Sequence, residues 1–314
     1  MIIKKLNNLY EQAYPRNLVS IAITDDASKD KTRQLASEWA ATHPDAQVTI
    51  IPHSSHTGKM PMVLDILKTL DAEDELMILT DVDAFCYENN ALSNITRYFS
   101  DPTVAAASCS IQYGTSDHAP TEHVYRDFYN VIRVGESKIY STPNHNGQFQ
   151  ALRLSTLREI GVPDFVGIDD SAIGSFFAFA GLRAIQVDDV KVWEPAGENM
   201  FRRKTRRANR LMMNLMNTKR CSIERGLYKR TRFEGIWKME YWLHLINPWL
   251  LVAGAALILL APLTGDPSNL TLITLLIGLV SLIIPICRVW IMQQFYLITA
   301  RIRGIRTRDV SWKK

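Results

Sequence analysis

Cysteine is scarce and has no pattern. The 314 residues hold four, Cys86, Cys109, Cys221 and Cys287, and no two stand at the spacing of a zinc ribbon or a redox pair. That excludes a disulfide scaffold and fits free thiols in a reducing compartment. Met1 to Asn8 has no apolar core and no cleavage site, so no signal peptide is read there. The net charge is only +4, which does not argue for nucleic acid. The one dense basic run, Arg202–Arg210, lacks the interleaved aromatics that would stack bases. Repeats and low-complexity tracts are missing. So is charge between Trp249 and Cys287, where Asp266 stands alone.

What is present begins with an alternation. Leu18–Thr24, Gln47–Pro52, Leu76–Thr80, Val104–Tyr113, Gln148–Leu152 and Val187–Trp193 read as strands. Between them, Ser28–Trp39, Lys59–Leu70, Asn90–Phe99, Thr121–Tyr140 and a segment from Asp169 to Ala180 read as helices. Strands alternating with helices of this length predict an α/β fold with a mostly parallel sheet, whose ligands bind at the carboxyl ends of strands.

Acidic pairs stand at those ends. Asp81-Val-Asp83 follows the continuously apolar LMILT, and two carboxylates across a sharp turn can share a divalent cation such as Mg2+ or Mn2+. Asp25-Asp26 closes the first strand, where a carboxylate can accept a hydrogen bond from a base N–H; an ordinary capping turn is the alternative. His56-Thr-Gly58-Lys59 opens a helix whose N-terminus favours phosphate. Asp169-Asp170 is the candidate general base, with an N-cap as the alternative. The Arg202–Arg210 run suits a diphosphate, anionic lipid headgroups or a solvated face.

The apolar tail predicts two membrane spans, about 246–264 and 270–288, joined by the polar turn Thr264–Asn269. Basic flanks on both sides, including Arg301, Arg303, Arg306 and Arg308, place the long segments in the cytoplasm of a multi-pass membrane protein. Phe233–His244 is aromatic and amphipathic, and predicts an interfacial helix with Trp237, Tyr241 and Trp242 at the headgroups. The expected division is a catalytic domain over 1–230 and a membrane part over 231–314.

In order and spacing these motifs resemble the family 2 glycosyltransferases of the GT-A fold, the group of cellulose, hyaluronan and dolichol-phosphate sugar synthases. TDDASKDKT is similar to the uridine-binding stretch, HTGK to the segment that places Lys59 near the diphosphate, and TDVDAF to the metal-binding strand end. NGQFQALR resembles a segment that would put Arg153 beside the acceptor. IDDSAIG resembles the stretch that makes Asp170 the base, with Asp169 beside it, and RRKTRR the element that puts Arg203 and Arg206 near the diphosphate. The resemblance implies an inverting, metal-dependent enzyme using a nucleotide-sugar donor, UDP-linked, with Asp25, Asp26, Lys59 and Asp81 at the nucleotide and Asp81 and Asp83 at the metal. It implies a lipid-linked or polysaccharide acceptor at the membrane. The chain starts inside the family's expected first helix, without the usual first strand. Arg207 stands where processive synthases carry tryptophan, which favours transfer of one or few sugars. On the residues alone, a nucleotidyltransferase and an inactive membrane adaptor remain as alternatives.

Overall fold

The computed structural model describes residues 1–70, 73–112, 120–165, 168–195, 200–261 and 269–306. The elements follow the expected alternation. They are α1 (Ile2–Tyr10), β1 (Ser20–Asp25), α2 (Thr32–Thr42), β2 (Gln47–Pro52), α3 (Lys59–Leu67), β3 (Leu76–Thr80), β4 (Phe85–Cys86), α4 (Ala91–Thr96), β5 (Val104–Ile111), α5 (Pro120–Ile139), β6 (Phe149–Arg153), α6 (Leu154–Ile160), α7 (Asp170–Phe179) and β7 (Arg183–Trp193). Every residue of β5 is buried. Its run of alanines, Ala105 to Ala107, lets flanking elements approach closely, and Phe176, Phe177 and Phe179 of α7 fill the layer beside the sheet.

The sheet is not mostly parallel, as the alternation predicts, but mixed. β1 pairs with β2 and β5 with β7 in parallel, while β3/β6, β5/β6 and β4/β7 are antiparallel. The cause lies in the connection after α5. The Thr142 N–H donates to Ala184 O at the amino end of β7. From there the buried segment 141–148 runs to the carboxyl end, where Phe149 pairs with Thr80. β6 therefore starts where β3 ends and must run against it. The strands fall into two sheets, β1-β2 and β3-β6-β5-β7-β4.

Beyond the sheet, α8 (Met200–Glu224) lies against α7, and α9 (Phe233–Tyr241) passes through a π-helical turn (Trp242–Ile246) into α10 (Asn247–Leu260). Together Phe233–Leu260 form the one helix among the described residues that is long and apolar enough to cross a membrane. The second expected span is bent: α11 (Asn269–Ser281) and α12 (Pro285–Arg306) meet at 96°. Pro285 lacks the N–H and its ring crowds the preceding turn, so the helix cannot continue straight. α12 turns back onto α8 and α5, burying Val289, Tyr296, Leu297 and Ala300. Most of the polar turn and the last basic residues, 262–268 and 307–314, lie outside the described residues. Trp237 is not at a headgroup surface; it is 3% exposed and packs edge-on against Phe179, in one cluster with Phe233. The helix after residue 230 thus shares the core of the domain before it.

Candidate active site

Four segments meet at the carboxyl end of β3. The first is the turn 81–84, closed by the Ala84 N–H donating to Asp81 O. The second is the loop 144–148 delivered by the buried crossing segment. The third is the start of α7, and the fourth the start of α3. Lys59 ties them together. Its Nζ lies 3.0 Å from Asp81 Oδ1, 3.0 Å from Asp170 Oδ1 and 3.1 Å from Gly147 O. Asp81 and Asp170, 89 positions apart in the chain, therefore hold carboxylate oxygens within about 6 Å of each other, each on the same ammonium group.

Gly147 makes this possible. A Cβ there would stand 1.7 Å from Asp170 Oδ2, so the Asp170 carboxylate occupies the space of the missing side chain. The loop is stapled to α7 by further bonds. The His145 N–H donates to Ser171 Oγ, and Gln150 Nε2 donates to Asp170 O. The His145 ring sits against Gly174, where a Cβ would come within 2.4 Å of it. Burial, reinforced by Arg133, lowers the His145 pKa to about 4, so the ring is neutral near pH 7.

Two neighbouring aspartates divide their work. Asp169 caps α7, accepting from the Ala172 N–H at 3.0 Å. Burial, then the adjacent Asp170 charge, raises its pKa to about 6. Asp170 turns instead toward Lys59. Burial also raises Asp81, with Lys59 opposing and Asp170 and Asp83 adding. At Lys59 burial works against the charge, but the Asp170 and Asp81 carboxylates outweigh it and the pKa rises. Lys5 of α1 supports the same turn from the far side, donating to Thr80 Oγ1 at 2.7 Å and to Ala84 O.

Among the described residues no three His, Cys, Asp or Glu side chains gather around one point that could hold a metal ion. Two carboxylates such as Asp81 and Asp83 would leave a hard cation to complete its shell from water and phosphate oxygens, as Mg2+ does.

The remaining candidates separate. Asp26 accepts from the Thr57 N–H at 2.7 Å and the Gly58 N–H at 3.0 Å, with His56 alongside. The amide groups expected to greet a phosphate are thus taken by a carboxylate of the protein. Asp25 accepts from the Ser28 N–H and from Arg33 Nε and Nη2. Arg153 is not at the site. It pairs in register with Leu76, at the opposite end of β3 from Asp81, and donates to the carbonyls of Phe99, Asp101 and Val104. Its position at the far end of a short strand, rather than near Gly147 at the strand's start, sets it there.

Arg203 and Arg206 lie on α8 with Arg207 and Arg210, a spacing that shares one helix face. Glu194, 3% exposed, gathers this face: Arg203 at 2.6 Å, Arg207 at 3.3 Å and Arg126 of α5 at 3.9 Å. Gln148 Nε2 donates to the same carboxylate at 3.2 Å, which joins the basic helix to the Gly147 loop. Burial opposes the Glu194 charge, but Arg207, Arg126 and Arg203 draw its pKa down to about 2. Arg206, crowded by burial and by Arg210, Arg207 and Arg203, falls to about 10. Gly147, Lys5 and Glu194 are the functional neighbours that sequence reasoning missed. The apolar LMILT run and the NGQFQALR stretch marked the site's surroundings, but only the tertiary structure brings these residues in.

Residues 1–161 match the family described as Glycosyl transferase family 2. A curated relative, the O-antigen chain rhamnosyltransferase RfbN of Salmonella typhimurium strain LT2, is 31% identical over 159 residues, 48% of each chain. The chain thus spans about half the length of that relative. A solved structure, the mannosyltransferase PcManGT from Pyrobaculum calidifontis in complex with GDP-Man and Mn2+, is similar with a TM-score of 0.82 and 32% identity, over 98% of this chain and 84% of that one. With its strand-end carboxylates, its mixed sheet flanked by helices and these two likenesses, the chain belongs to glycosyl transferase family 2 and is a glycosyltransferase of the GT-A fold.

Proposed function

We propose that this glycosyltransferase inverts the sugar it transfers, moving it from a nucleoside diphosphate to an acceptor held at a membrane surface. The observation that carries the reading is the meeting of Lys59, Asp81 and Asp170 over Gly147. Asp170 takes the proton of the acceptor hydroxyl, the freed oxygen attacks the anomeric carbon, and the nucleoside diphosphate leaves from the opposite face. A single displacement of this kind needs one base and inverts the configuration. Lys59 holds the Asp170 carboxylate in place over the Gly147 loop.

Asp81 and Asp83 are the residues that would hold Mg2+ or Mn2+, and the PcManGT complex with Mn2+ supports a divalent ion as the cofactor. Such an ion, when bound, offsets the charge on the departing diphosphate. Arg203 and Arg206 serve the diphosphate, and Asp26 orders the 56–59 turn that delivers Lys59. The GDP-Man complex favours a GDP-linked donor over the UDP-linked one that the Asp25-Asp26 motif suggests. The domain over 1–230 works on the cytosolic face, and the apolar helix Phe233–Leu260 keeps it at the bilayer.

The test is a transfer assay with radiolabelled GDP-mannose and UDP-glucose on membranes holding the chain, with manganese and after chelation. Label in the lipid fraction, lost on chelation, is expected. Asp170→Asn should abolish transfer while GDP with manganese still raises its Tm. Transfer that survives Asp170→Asn removes the proposed base, and release of mannose 1-phosphate or glucose 1-phosphate would mark a nucleotidyltransferase instead.

A further inference from the structure

A groove between α8 and α9 lies apart from the acidic site. Arg210 and Lys219 stand nine residues apart on α8, about 13 Å of helix. The groove holds about 700 Å3, inside the range of small-molecule pockets. Its apolar lining includes Met216 and Ile223 from α8, and Trp242 and Ile246 from the π-helical turn. Its polar lining is Lys219, Arg220 and Lys238, with Glu224 as the one acid.

Along the α9 wall charge gives way to apolar surface. Lys238, Trp242 and Ile246 all line the groove in that order, from cation through indole to alkyl. The next residues, Trp249 at 45% and Leu250 at 53% exposed, carry the apolar surface onto α10. This is the order of a phospholipid from phosphate to acyl chain, with tryptophan where the bilayer interface favours it. Glu234, just beyond the rim, is shared by Lys219 at 2.8 Å, Lys238 at 3.4 Å and Arg230 at 3.8 Å. Arg220 reaches Glu224 at 3.6 Å, with both side chains about two-thirds exposed. Four cations thus face two acids, and the exposed Arg220–Glu224 pair is weak enough to exchange for a phosphate.

We propose that the groove binds one anionic phospholipid, its phosphate against Arg220 and Lys238 and an acyl chain along Met216, Ile223, Trp242 and Ile246. The bound lipid would fix the height and tilt of the catalytic domain above the bilayer, because α8 carries both the groove and the Arg203–Arg210 face. The occupant is an amphiphile rather than free phosphate because the apolar floor is continuous with the exposed face of α10.

The full chain in detergent, offered equal amounts of phosphatidylglycerol and phosphatidylcholine, is examined by native mass spectrometry. One retained phosphatidylglycerol per chain is expected. Replacing Arg220→Ala and Lys238→Ala together, both exposed and so harmless to folding, should weaken retention about thirtyfold, two cations at about 1 kcal/mol each. Ile246→Asp, which keeps both cations, should also release the lipid. Equal retention of phosphatidylcholine, unchanged retention by the double variant, or displacement by inorganic phosphate at matching concentration would each overturn the assignment.

Discussion

Two cations sit at opposite ends of β3, and each is held by three oxygens. At the carboxyl end Lys59 meets two carboxylates and the Gly147 carbonyl. At the amino end Arg153 meets the carbonyls of Phe99, Asp101 and Val104. The geometry is similar and the chemistry is not. Carboxylates can give up an ammonium partner for a metal ion or a substrate proton, since their charge persists when the partner leaves. Backbone carbonyls belong to the fold, and releasing them costs stability and gains no reactive group. One end of the strand is therefore able to do work, and the other holds the work in place.

The comparison breaks first at Gly147. Gly147→Ala drives a Cβ into Asp170, so it should remove transfer activity entirely, with a smaller loss of Tm. Kinetics and thermal melts on the same preparation decide it; wild-type activity would mean the Asp170 carboxylate does not need its place over the loop. Next is Lys59→Met, which leaves Asp81 and Asp170 facing each other without the shared ammonium group. A fall in kcat of about 10²-fold is expected, within the range for a disturbed general base. At the other end, Arg153→Met should leave kcat within twofold and cost about 2–3 kcal/mol of stability by orphaning three carbonyls. An activity loss with unchanged stability there would restore Arg153 to the acceptor side.

The same contrast explains what could be read before any coordinates. The strand ends were legible because LMILT followed by Asp-Val-Asp joins a doubly covered strand to a polar turn, and both signals are local. β4, of two residues, and α6, of seven, are too short to leave a period. Lys5 and Glu194 look like any surface charges in a linear string; only packing makes one a brace for the 81–84 turn and the other a hub for three arginines. Trp237 was misplaced because an aromatic helix reads alike whether it faces headgroups or a phenylalanine cluster. The second apolar run hid its break because Pro285 is tolerated in membrane helices as well as in bends. Sheet direction turned on a buried crossing segment that no alternation of strand and helix reveals.

The finest form of the comparison lies between adjacent residues. Asp169 and Asp170 share one helix start, but one points into its own backbone and the other into the site. Asp169→Asn keeps an N-cap acceptor, since asparagine caps as well as aspartate, and removes only the charge. Transfer should therefore stay within a few fold of wild type, far from the loss expected of Asp170→Asn. Its signature is in stability against pH. The Asp169 pKa is raised in the folded chain to about 6, so its contribution to stability is full below the ordinary carboxylate value and is lost as pH rises through 6. The asparagine variant has no such loss. Its Tm should match wild type below about pH 4 and exceed it by a few degrees above pH 6, in melts taken across that interval. A variant that melts lower than wild type above pH 6 while matching it below pH 4 would show the Asp169 charge to be favourable to the folded chain. A variant as inactive as Asp170→Asn would erase the division of labour between the two carboxylates.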